Sequence, residues 1–499
     1  MKAPFQVILE LIFQQFGPGR GLRRSDGKAR GLHHHPCLVS PGCKLFRYWP
    51  IALLSCAMTS RAACGQTAAV AVGPVDPQIA SALKQVSSAR IQADIEKLVG
   101  FGTRSTLSAQ DAASIAAGHG IGAAREWIQS QLENYSRDCG GCLEVKNDSF
   151  LEGPAERIPQ PTEITNVYAV LKGTDAEIAP QIILVSGHYD SRNSDTLDTT
   201  GAAPGANDDG SGTAVSLECA RVLSQLKFRS TIIFLTVAGE EQGLNGSRHF
   251  AQMARSSGWK IRAVLNNDIV GGDRSPQQDP SLVRVFSEGI PSTANEADLK
   301  QLRSLGGETD SPSRQLARYV VETSRTYPSS VKPLLVFRLD RYLRGGDHMA
   351  FNQQGYAAVR FTEFREDYHH QHQTPRIENG SEYGDLLKFV DFDYIAAVAR
   401  LNAAVMASLA AAPAPPTNVY LRTKQLENDS TLSWDASPAA AGYEVLWRPT
   451  TAADWEQLQS VGNQTRVTLP QSKDNVIFAV RAFDSVGHRS LPVVPVPEP

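Results

Sequence analysis

The sequence lacks any long apolar run, and it has little net charge and little histidine. No uninterrupted apolar stretch among its 499 residues reaches the roughly 18–20 residues that a transmembrane helix needs, so no stable membrane span is predicted. The formal net charge of −3 gives no reason to expect nucleic acid as a partner. The chain has only 11 histidines, yet His369, His370 and His372 all fall within the stretch EDYHHQHQTP. Whether this tract is a metal site depends on what the rest of the chain supplies.

The N-terminal region has the order of a secretory signal, but it does not begin with one. Residues 1–43 are rich in Gly, Arg and His without an apolar period, and we predict that they are a non-native or disordered extension. Lys44 and Arg47 then precede a short apolar stretch that is followed by small residues. We therefore predict a signal peptide over 44–66 and a secreted or periplasmic protein. A lipid anchor at Cys64 and a basic nucleic-acid-binding arm are the alternatives.

The seven cysteines fall into three groups. Four of them lie in or before the predicted signal peptide. Cys139 and Cys142 form the motif CGGC, which can be a redox pair or half of a zinc site. Because no second CxxC and no thioredoxin-like context accompany it, we predict a local disulfide, which is typical of exported proteins. Cys219 lies on an apolar helical face and is predicted to belong to the core.

Strand and helix patterns alternate through the middle of the chain. Apolar runs such as QIILVSGHYDS and STIIFLTVAGEE predict strands, and helical patterns follow them. The alternation predicts an α/β fold, a sheet flanked by helices, over residues 80–411. The Pro/Ala-rich stretch 412–418 predicts a linker. Residues 419–499 predict a small β-sandwich, and Trp434 with the segments YEVLWR and IFAVRAFD resembles a fibronectin type III module.

Acidic and histidine residues recur at the ends of the predicted strands. Because the carboxyl ends of strands in open α/β sheets line the ligand crevice, these side chains are expected to converge. They are His188 and Asp190 in SGHYD, Asp208 in GANDDGSG, Glu240 and Glu241 in AGEEQG, and Asp268 in NND. Taken singly, each has an ordinary alternative. Asp208 and Asp209 can cap a helix. Glu240 and Glu241 can be a solvated pair, and His188 can be a satisfied core histidine.

Taken together, the same residues have the composition of a metal-ligand set. Two adjacent carboxylates that continue a strongly apolar strand are costly to bury without a cation. Carboxylate oxygens and imidazole nitrogens are the ligands of zinc and similar divalent ions. Two ions about 3.5–4 Å apart need one bridging carboxylate and two further ligands each. The set is complete if one histidine comes from EDYHHQHQTP.

These motifs, in this order, resemble the zinc aminopeptidases of peptidase family M28 over about residues 85–410. The resemblance implies a mixed, largely parallel sheet between helices, and two zinc ions. It implies that His188 and Asp268 bind one ion. Glu241 and the late histidine would bind the other, with Asp208 as the bridge between them.

The resemblance also implies hydrolysis of the first peptide bond in peptides that have a free N-terminus. Asp190 would orient a histidine ligand, and Glu240 would be the general base that moves a proton from water to the departing amine. Asp347 and His348 in RGGDHMAF would line the substrate pocket. A single-zinc glutaminyl cyclase and a non-catalytic binding protein on the same fold are the alternatives. The sandwich supplies no metal ligand, so we expect hydrolysis not to need it. The sequence does not indicate a binding partner for the sandwich.

The three late histidines can be ranked from the sequence. His370 is preferred, because its position in the loop after a strand and its neighbour Gln371 are similar to the family pattern. His372 is the rival, since the QTP that follows it is similar to the family's HTP. His369 ranks last. We therefore predict His370 as the histidine ligand.

Overall fold

The computed structural model describes residues 68–69 and 73–499. The predicted extension over 1–43, the signal peptide over 44–66 and the lipid anchor at Cys64 lie outside the described residues and stay predictions. The α/β part and the C-terminal sheets belong to one compact unit.

The described residues form strands and helices with the following bounds. The strands are β1 (Ala68–Ala69), β2 (Leu143–Glu152), β3 (Thr162–Leu171), β4 (Gln181–His188), β5 (Thr231–Val237), β6 (Lys260–Asn267), β7 (Leu282–Ser287), β8 (Lys332–Val336), β9 (Ala358–Glu363), β10 (Arg376–Glu378), β11 (Ser381–Tyr383), β12 (Thr417–Leu421), β13 (Ser430–Asp435), β14 (Gly442–Pro449), β15 (Gln457–Gly462), β16 (Arg466–Leu469), β17 (Val476–Phe483) and β18 (Val496–Pro497). The α-helices are α1 (Pro77–Leu83), α2 (Ser88–Val99), α3 (Ala112–Ala116), α4 (Gly120–Asp138), α5 (Gly210–Leu223), α6 (Asn245–Ser256), α7 (Glu296–Leu305), α8 (Pro312–Thr326), α9 (His348–Gln353) and α10 (Phe392–Ala411).

Eight strands form the central sheet, in the order β2-β3-β5-β4-β6-β9-β7-β8. The four central strands β5, β4, β6 and β9 run parallel to one another. The pairs β2–β3, β3–β5 and β7–β9 are antiparallel. The mixed, largely parallel sheet that the family resemblance implied is therefore confirmed.

Both faces of this sheet are covered by helices. Along β4, Ile183 and Val185 pack into a core with residues of α5 and α10, whereas Ile182 and Leu184 pack into a second core with residues of α6 and α9. Successive side chains of a strand point to opposite faces, so both sets of positions must be apolar. This explains why the strand reads as one continuous apolar run.

The helix α10 covers one face of the sheet and packs against α5 and α2. Among the described residues, it is the one helix that is long and apolar enough to cross a membrane. However, 83% of its apolar window is buried inside the protein. We therefore interpret α10 as a core helix of the α/β part.

The cysteines outside the N-terminal region behave as predicted. Cys139 and Cys142 form a disulfide directly after α4, and Cys219 is a buried free thiol. Gly140 and Gly141, which lie between the disulfide partners, have φ of 76° and 86°. Only glycine adopts this left-handed conformation without steric cost, which allows the chain to reverse inside so short a loop.

Two facing four-stranded sheets form the sandwich, β1-β15-β14-β17 and β16-β13-β12-β18, and every strand except β1 comes from the C-terminal residues. Side chains such as Trp434 and Phe478 fill a separate core there. The helix α10 ends at Ala411 and β12 begins at Thr417, so only a few residues connect the two parts. The exact domain bounds and the similarity to fibronectin type III stay predictions. One strand of the sandwich, β1, comes from the N-terminal side of the α/β part and pairs with β15.

Buried ion pairs join the sandwich to the α/β part. Glu322 of α8 contacts Arg481 of β17 at 2.6 Å and Arg489 at 3.0 Å. Asp310, just before α8, contacts Arg448 of β14 at 2.7 Å. Removal of the sandwich would take both arginine partners away from Glu322. Because a partly buried carboxylate without a cation is costly, removal of the sandwich should destabilise the α/β part, whereas the expectation that hydrolysis does not need the sandwich stays a prediction.

We predict that Glu322→Gln destabilises the protein by about 3 kcal/mol, since it breaks a buried ion pair and leaves Arg481 with only Glu444. The measurement is the free energy of unfolding from a urea titration. The matched control is Glu378→Gln, which removes the same charge from an exposed pair with Arg376 and should change stability little. Equal effects of the two substitutions would show that the interface pair adds no stability.

The second prediction concerns His488, which joins the sandwich to the first helix. Its Nδ1 lies 3.0 Å from Asp484 and its Nε2 lies 3.0 Å from Asp76, the N-cap of α1. The hydrogen bond to Asp484 raises the pKa of His488 above its usual value. A raised folded-state pKa stabilises the protein below the unfolded pKa of about 6.5, and this stabilisation disappears as pH rises through the folded pKa.

The free energy of unfolding should therefore decrease between pH 6 and pH 9, and His488→Gln should reduce that decrease. The hydrogen bond with His488 keeps the pKa of Asp484 below its usual value, so this carboxylate stays charged over the range and does not contribute to the difference. Parallel pH profiles for the two proteins would contradict the assignment.

Candidate metal centre

The carboxyl ends of the parallel strands meet at one edge of the central sheet, where the predicted polar residues lie. His188 is the last residue of β4, and Asp268 comes directly after β6. Glu240 and Glu241 lie in the turn after β5, and Asp208 lies just before α5. Parallel strands end on the same side of a sheet, so residues far apart in sequence come together here.

Six side chains at this edge form two groups with ligand atoms that lie within 4.8 Å of one another: His188, Glu240 and Asp268 in one group, and Asp208, Glu241 and His372 in the other. Asp208 connects the groups. Its Oδ1 lies 3.1 Å from His188 Nε2, and its Oδ2 lies 2.9 Å from His372 Nε2. A carboxylate with one oxygen toward each group has the arrangement of a bridging ligand between two ions.

The structure brings His372, not the predicted His370, to this cluster. His372 Nε2 lies 3.1 Å from Glu241 as well as 2.9 Å from Asp208. The preference for His370 is therefore wrong, and the rival histidine occupies the position.

The backbone explains why the two histidines differ. His370 lies in a turn after Asp367, and its ring contacts Asp273 and stacks on Phe389 with ring centroids 3.6 Å apart. His372 has φ of 57°, a left-handed conformation that is uncommon for a residue with a side chain. Two histidines only two positions apart therefore have different partners, and the one at the cluster is the one with the left-handed backbone.

Asp190 positions both His188 and the turn with the two glutamates. Its Oδ1 lies 3.4 Å from His188 Nδ1, and its Oδ2 accepts a hydrogen bond from Thr106 Oγ1 at 2.9 Å. The backbone N–H groups of Glu240 and Glu241 also donate to this carboxylate, at 3.4 and 3.2 Å. One buried carboxylate thus orients a candidate ligand and the candidate base together.

The adjacent residues Asp208 and Asp209 have separate roles. Asp209 caps α5 by accepting a hydrogen bond from the backbone N–H of Gly212 at 2.8 Å, and it also accepts one from the N–H of His188 at 2.9 Å. The capping alternative is therefore correct for Asp209. Asp208 points to the histidines instead, and its own N–H donates to Asp385 at 2.7 Å.

Three buried residues support the cluster although the sequence analysis did not predict them. Arg360 contacts Asp268 at 2.8 Å, and Asp385 holds the backbone of Asp208. Arg104 donates to the carbonyl oxygens of Tyr189 and Gly205, at 2.7 and 2.8 Å, and so ties together both ends of the segment between His188 and Asp208. Arg360 is the lone arginine of the apolar strand AAVRFTE. Because a buried charge needs a partner, this pattern could have predicted that Arg360 pairs with an acidic residue. Asp385 and Arg104 lie outside regular elements and carry no comparable signal.

The charges of the cluster favour a bound cation. Burial alone would lower the pKa of His372, but Glu241 and Asp208 raise it to about 10. Burial also opposes the charged form of His188, yet Asp190 and Asp208 keep the pKa of His188 well above its usual value. Such a cluster attracts protons unless a metal ion replaces them, and metal binding then releases protons.

Two possible metal-ligand atoms in the cluster have no hydrogen-bond partner among the described residues. They are His188 Nε2 and Glu241 Oε1, and both are buried. His188 Nε2 lies near Asp208 but is not aligned for a hydrogen bond. Orphaned imidazole nitrogen and carboxylate oxygen atoms are zinc ligands, so the residues present fit the metal.

Asp347 and His348 do not line the open site, contrary to expectation. Both are fully buried, and His348 Nε2 donates to the carbonyl oxygen of Leu339 at 2.8 Å. Burial raises the pKa of Asp347 to about 7. The charge of Asp347 in turn contributes to a raised pKa of Glu240, after burial and the neighbouring carboxylates. Asp347 therefore acts on the site through its charge rather than through exposure to it.

Known proteins share much of this sequence. The "Probable zinc metalloprotease" of Pyrenophora tritici-repentis is 45% identical over 431 residues, which cover 85% of this chain and 88% of that protein. Residues 166–388 match the model described as Peptidase family M28. The chain belongs to peptidase family M28. A protein of the same description from Pyricularia oryzae is 46% identical over 433 residues, covering 85% of each chain. The predicted family and a zinc-dependent hydrolase are therefore confirmed.

Solved structures with a similar arrangement include the LapA aminopeptidase of Legionella pneumophila. It is 20% identical, with a TM-score of 0.47, and the match covers 68% of this chain and 75% of that chain. A glutaminyl cyclase of Porphyromonas gingivalis is 17% identical, with a TM-score of 0.44, over 64% of this M28 peptidase and 97% of that chain.

His372→Ala should weaken zinc binding at least tenfold, because it removes an imidazole that contacts both Asp208 and Glu241. His370→Ala is the matched control and should keep the zinc affinity of the unsubstituted protein. The measurement is zinc content after dialysis against a graded series of chelator concentrations. Loss of zinc from the His370 variant alone would reverse the assignment.

Proposed function

We propose that this M28 peptidase is a di-zinc aminopeptidase. The observation that carries the proposal is the Asp208 carboxylate, which has one oxygen 3.1 Å from His188 and the other 2.9 Å from His372. A single-ion site has no need for a carboxylate that faces two histidines. Two ions need one such bridge.

We assign His188, Asp268 and Asp208 to one ion, and Asp208, Glu241 and His372 to the other. Arg360 contacts Asp268 and partly neutralises the negative charge of its carboxylate. Asp190 keeps the His188 ring oriented. When bound, zinc would polarise the scissile carbonyl and acidify the attacking water. The metal itself would be held by ligands on the rigid strand ends and on the turn after β5.

Glu240 is the proposed general base. It lies beside His188 and Asp268 but is only partly buried, so it can reach both water and a substrate. Burial raises the pKa of Glu240 well above its usual value, and Asp268 and Glu241 add to the shift. A carboxylate with a raised pKa accepts a proton from water more readily and can then donate it to the departing amine.

The negative charge of the same site favours substrates with a free N-terminal ammonium group, and therefore the removal of N-terminal residues. A free ammonium group is attracted to carboxylates, and Glu240 is a partly exposed carboxylate beside the candidate metal ligands His188 and Asp268. An N-blocked peptide lacks that charge. We therefore propose peptides with a free N-terminus as the substrates.

Glu240→Gln should retain zinc and lose between about 10²-fold and 10⁴-fold in kcat, because the amide cannot accept the proton. The measurement is hydrolysis of a panel of aminoacyl chromogenic substrates, each paired with its N-acetylated form as a control. Glu378→Gln is the control substitution, on an exposed glutamate of β10. An active Glu240 variant would exclude this residue as the base.

Zinc content and turnover of the purified, unsubstituted protein distinguish the three proposed functions. Two zinc ions per chain with hydrolysis of unblocked substrates alone support the di-zinc aminopeptidase. A single tightly bound ion together with cyclisation of N-terminal glutamine would support the glutaminyl cyclase. Absence of turnover with every substrate, in protein that holds zinc, would support a non-catalytic binding protein.

A further inference from the structure

The cleft above the metal ligands has an arginine-rich rim. The cleft has a volume of about 530 Å³, and Glu240, Glu241 and His372 lie in its wall. Five arginines line it as well: Arg157, Arg192, Arg248, Arg341 and Arg344. We call these five residues the arginine rim. The volume lies within the range of small-ligand sites, so a short peptide fits the cleft.

Two members of the rim have no carboxylate partner among the described residues. Arg157 donates to the backbone carbonyl oxygen of Glu241 at 3.1 Å, and Arg248 donates to that of Gly243. Both side chains belong to exposed residues. Their charges are therefore open to a ligand, whereas a backbone carbonyl uses only one of the five N–H donors of a guanidinium.

The other three members are neutralised to different degrees. Arg341 and Arg344 share the carboxylate of Glu366, each at 2.9 Å. Arg192 lies 3.9 Å from Glu241, a candidate metal ligand. The surplus positive charge of the rim is therefore concentrated at Arg157 and Arg248.

The positions of Arg157 and Arg248 indicate which part of a substrate they can reach. Both guanidinium groups bind carbonyl oxygens of the 241–243 turn, next to the proposed base Glu240. One extended residue spans about 3.3–3.6 Å, so a group held there belongs to a residue close to the scissile bond. Arginine pairs with carboxylates through two parallel hydrogen bonds, which gives direction as well as charge.

We propose that Arg157 and Arg248 bind a substrate carboxylate close to the scissile bond, so that the enzyme prefers short peptides with such a group. The carboxylate is either the C-terminus of a dipeptide or an acidic side chain in the residue after the scissile bond. This inference rests on the proposed peptidase function.

The test uses four peptides with the same first residue. Leu-Ala-NH₂ carries no carboxylate, Leu-Ala has a free C-terminus, Leu-Glu-NH₂ has an acidic side chain, and Leu-Gln-NH₂ is its neutral match. The unsubstituted enzyme should show kcat/KM at least about tenfold higher for one or both of the carboxylate peptides than for the neutral ones. Preference for Leu-Ala identifies the C-terminus as the group that is bound, and preference for Leu-Glu-NH₂ identifies the side chain.

The double variant Arg157→Ala/Arg248→Ala should bring the ratio of kcat/KM between each carboxylate peptide and its neutral match to about one, and this ratio cancels any general loss of activity that comes from the 241–243 turn. Arg157→Lys/Arg248→Lys should restore part of the preference, since lysine keeps the charge without the paired hydrogen bonds. Arg255→Ala is the matched control, because Arg255 is exposed on the same helix as Arg248, about 10 Å further along, and lies outside the cleft.

The inference is overturned if the unsubstituted enzyme hydrolyses all four peptides equally, or if the double alanine variant keeps the preference. Binding of Leu-Ala and Leu-Ala-NH₂ to the Glu240→Gln protein, measured by calorimetry, tests the rim without turnover. If no peptide is hydrolysed but Leu-Ala still binds more tightly than its amide, the proposed function fails while the rim assignment stands. Equal binding of Leu-Ala and its amide, together with equal binding of Leu-Glu-NH₂ and Leu-Gln-NH₂ to the same protein, overturns the rim assignment.

Discussion

One carboxylate, that of Asp208, faces two imidazoles from different parts of the chain, and the site is organised around it. Several groups fix its position: Asp385 holds its backbone N–H, and Asp209 caps the helix that begins beside it. So many buried acidic oxygens in one place are unfavourable unless cations neutralise them. The fold therefore carries an electrostatic cost here, which the buried guanidinium of Arg360 offsets in part beside Asp268 and which a bound metal ion would offset further.

The sequence was sufficient to predict the strand-end positions, since they follow from topology. His188, Asp208, Glu240, Glu241 and Asp268 each adjoin a strand or helix whose pattern is clear, and parallel strands bring such positions to one edge. The histidine after β9 was different. It lies in an irregular turn, where His372 has a left-handed φ, and neither periodicity nor composition reports the backbone path of such a turn. Arg360 and Asp385 were missed because their partners are distant in sequence.

The interface between the α/β part and the sandwich is a second feature that the sequence could not predict. Alternating strands and a proline-rich connection predicted a separate sandwich, and two facing sheets are present. The ion pairs of Glu322 and Asp310 with the sandwich could not be predicted, because each joins residues more than a hundred positions apart. Charged residues of opposite sign are common in any sequence, so their pairing becomes visible only in three dimensions. The interface makes the sandwich a structural partner of the peptidase part.

The short strand β1 has a consequence for how the molecule is made. Ala68 pairs with Leu458, so the sandwich takes strands from both sides of the α/β part. During synthesis its first strand leaves the ribosome long before the others, and it cannot pair until the whole peptidase part and β15 have been translated. The pairing of β1 with β15 therefore forms late, through a contact of very large sequence separation, whereas the core of the sandwich comes from residues 419–493 alone. In topological terms, the catalytic part is an insertion within the sandwich rather than its upstream neighbour.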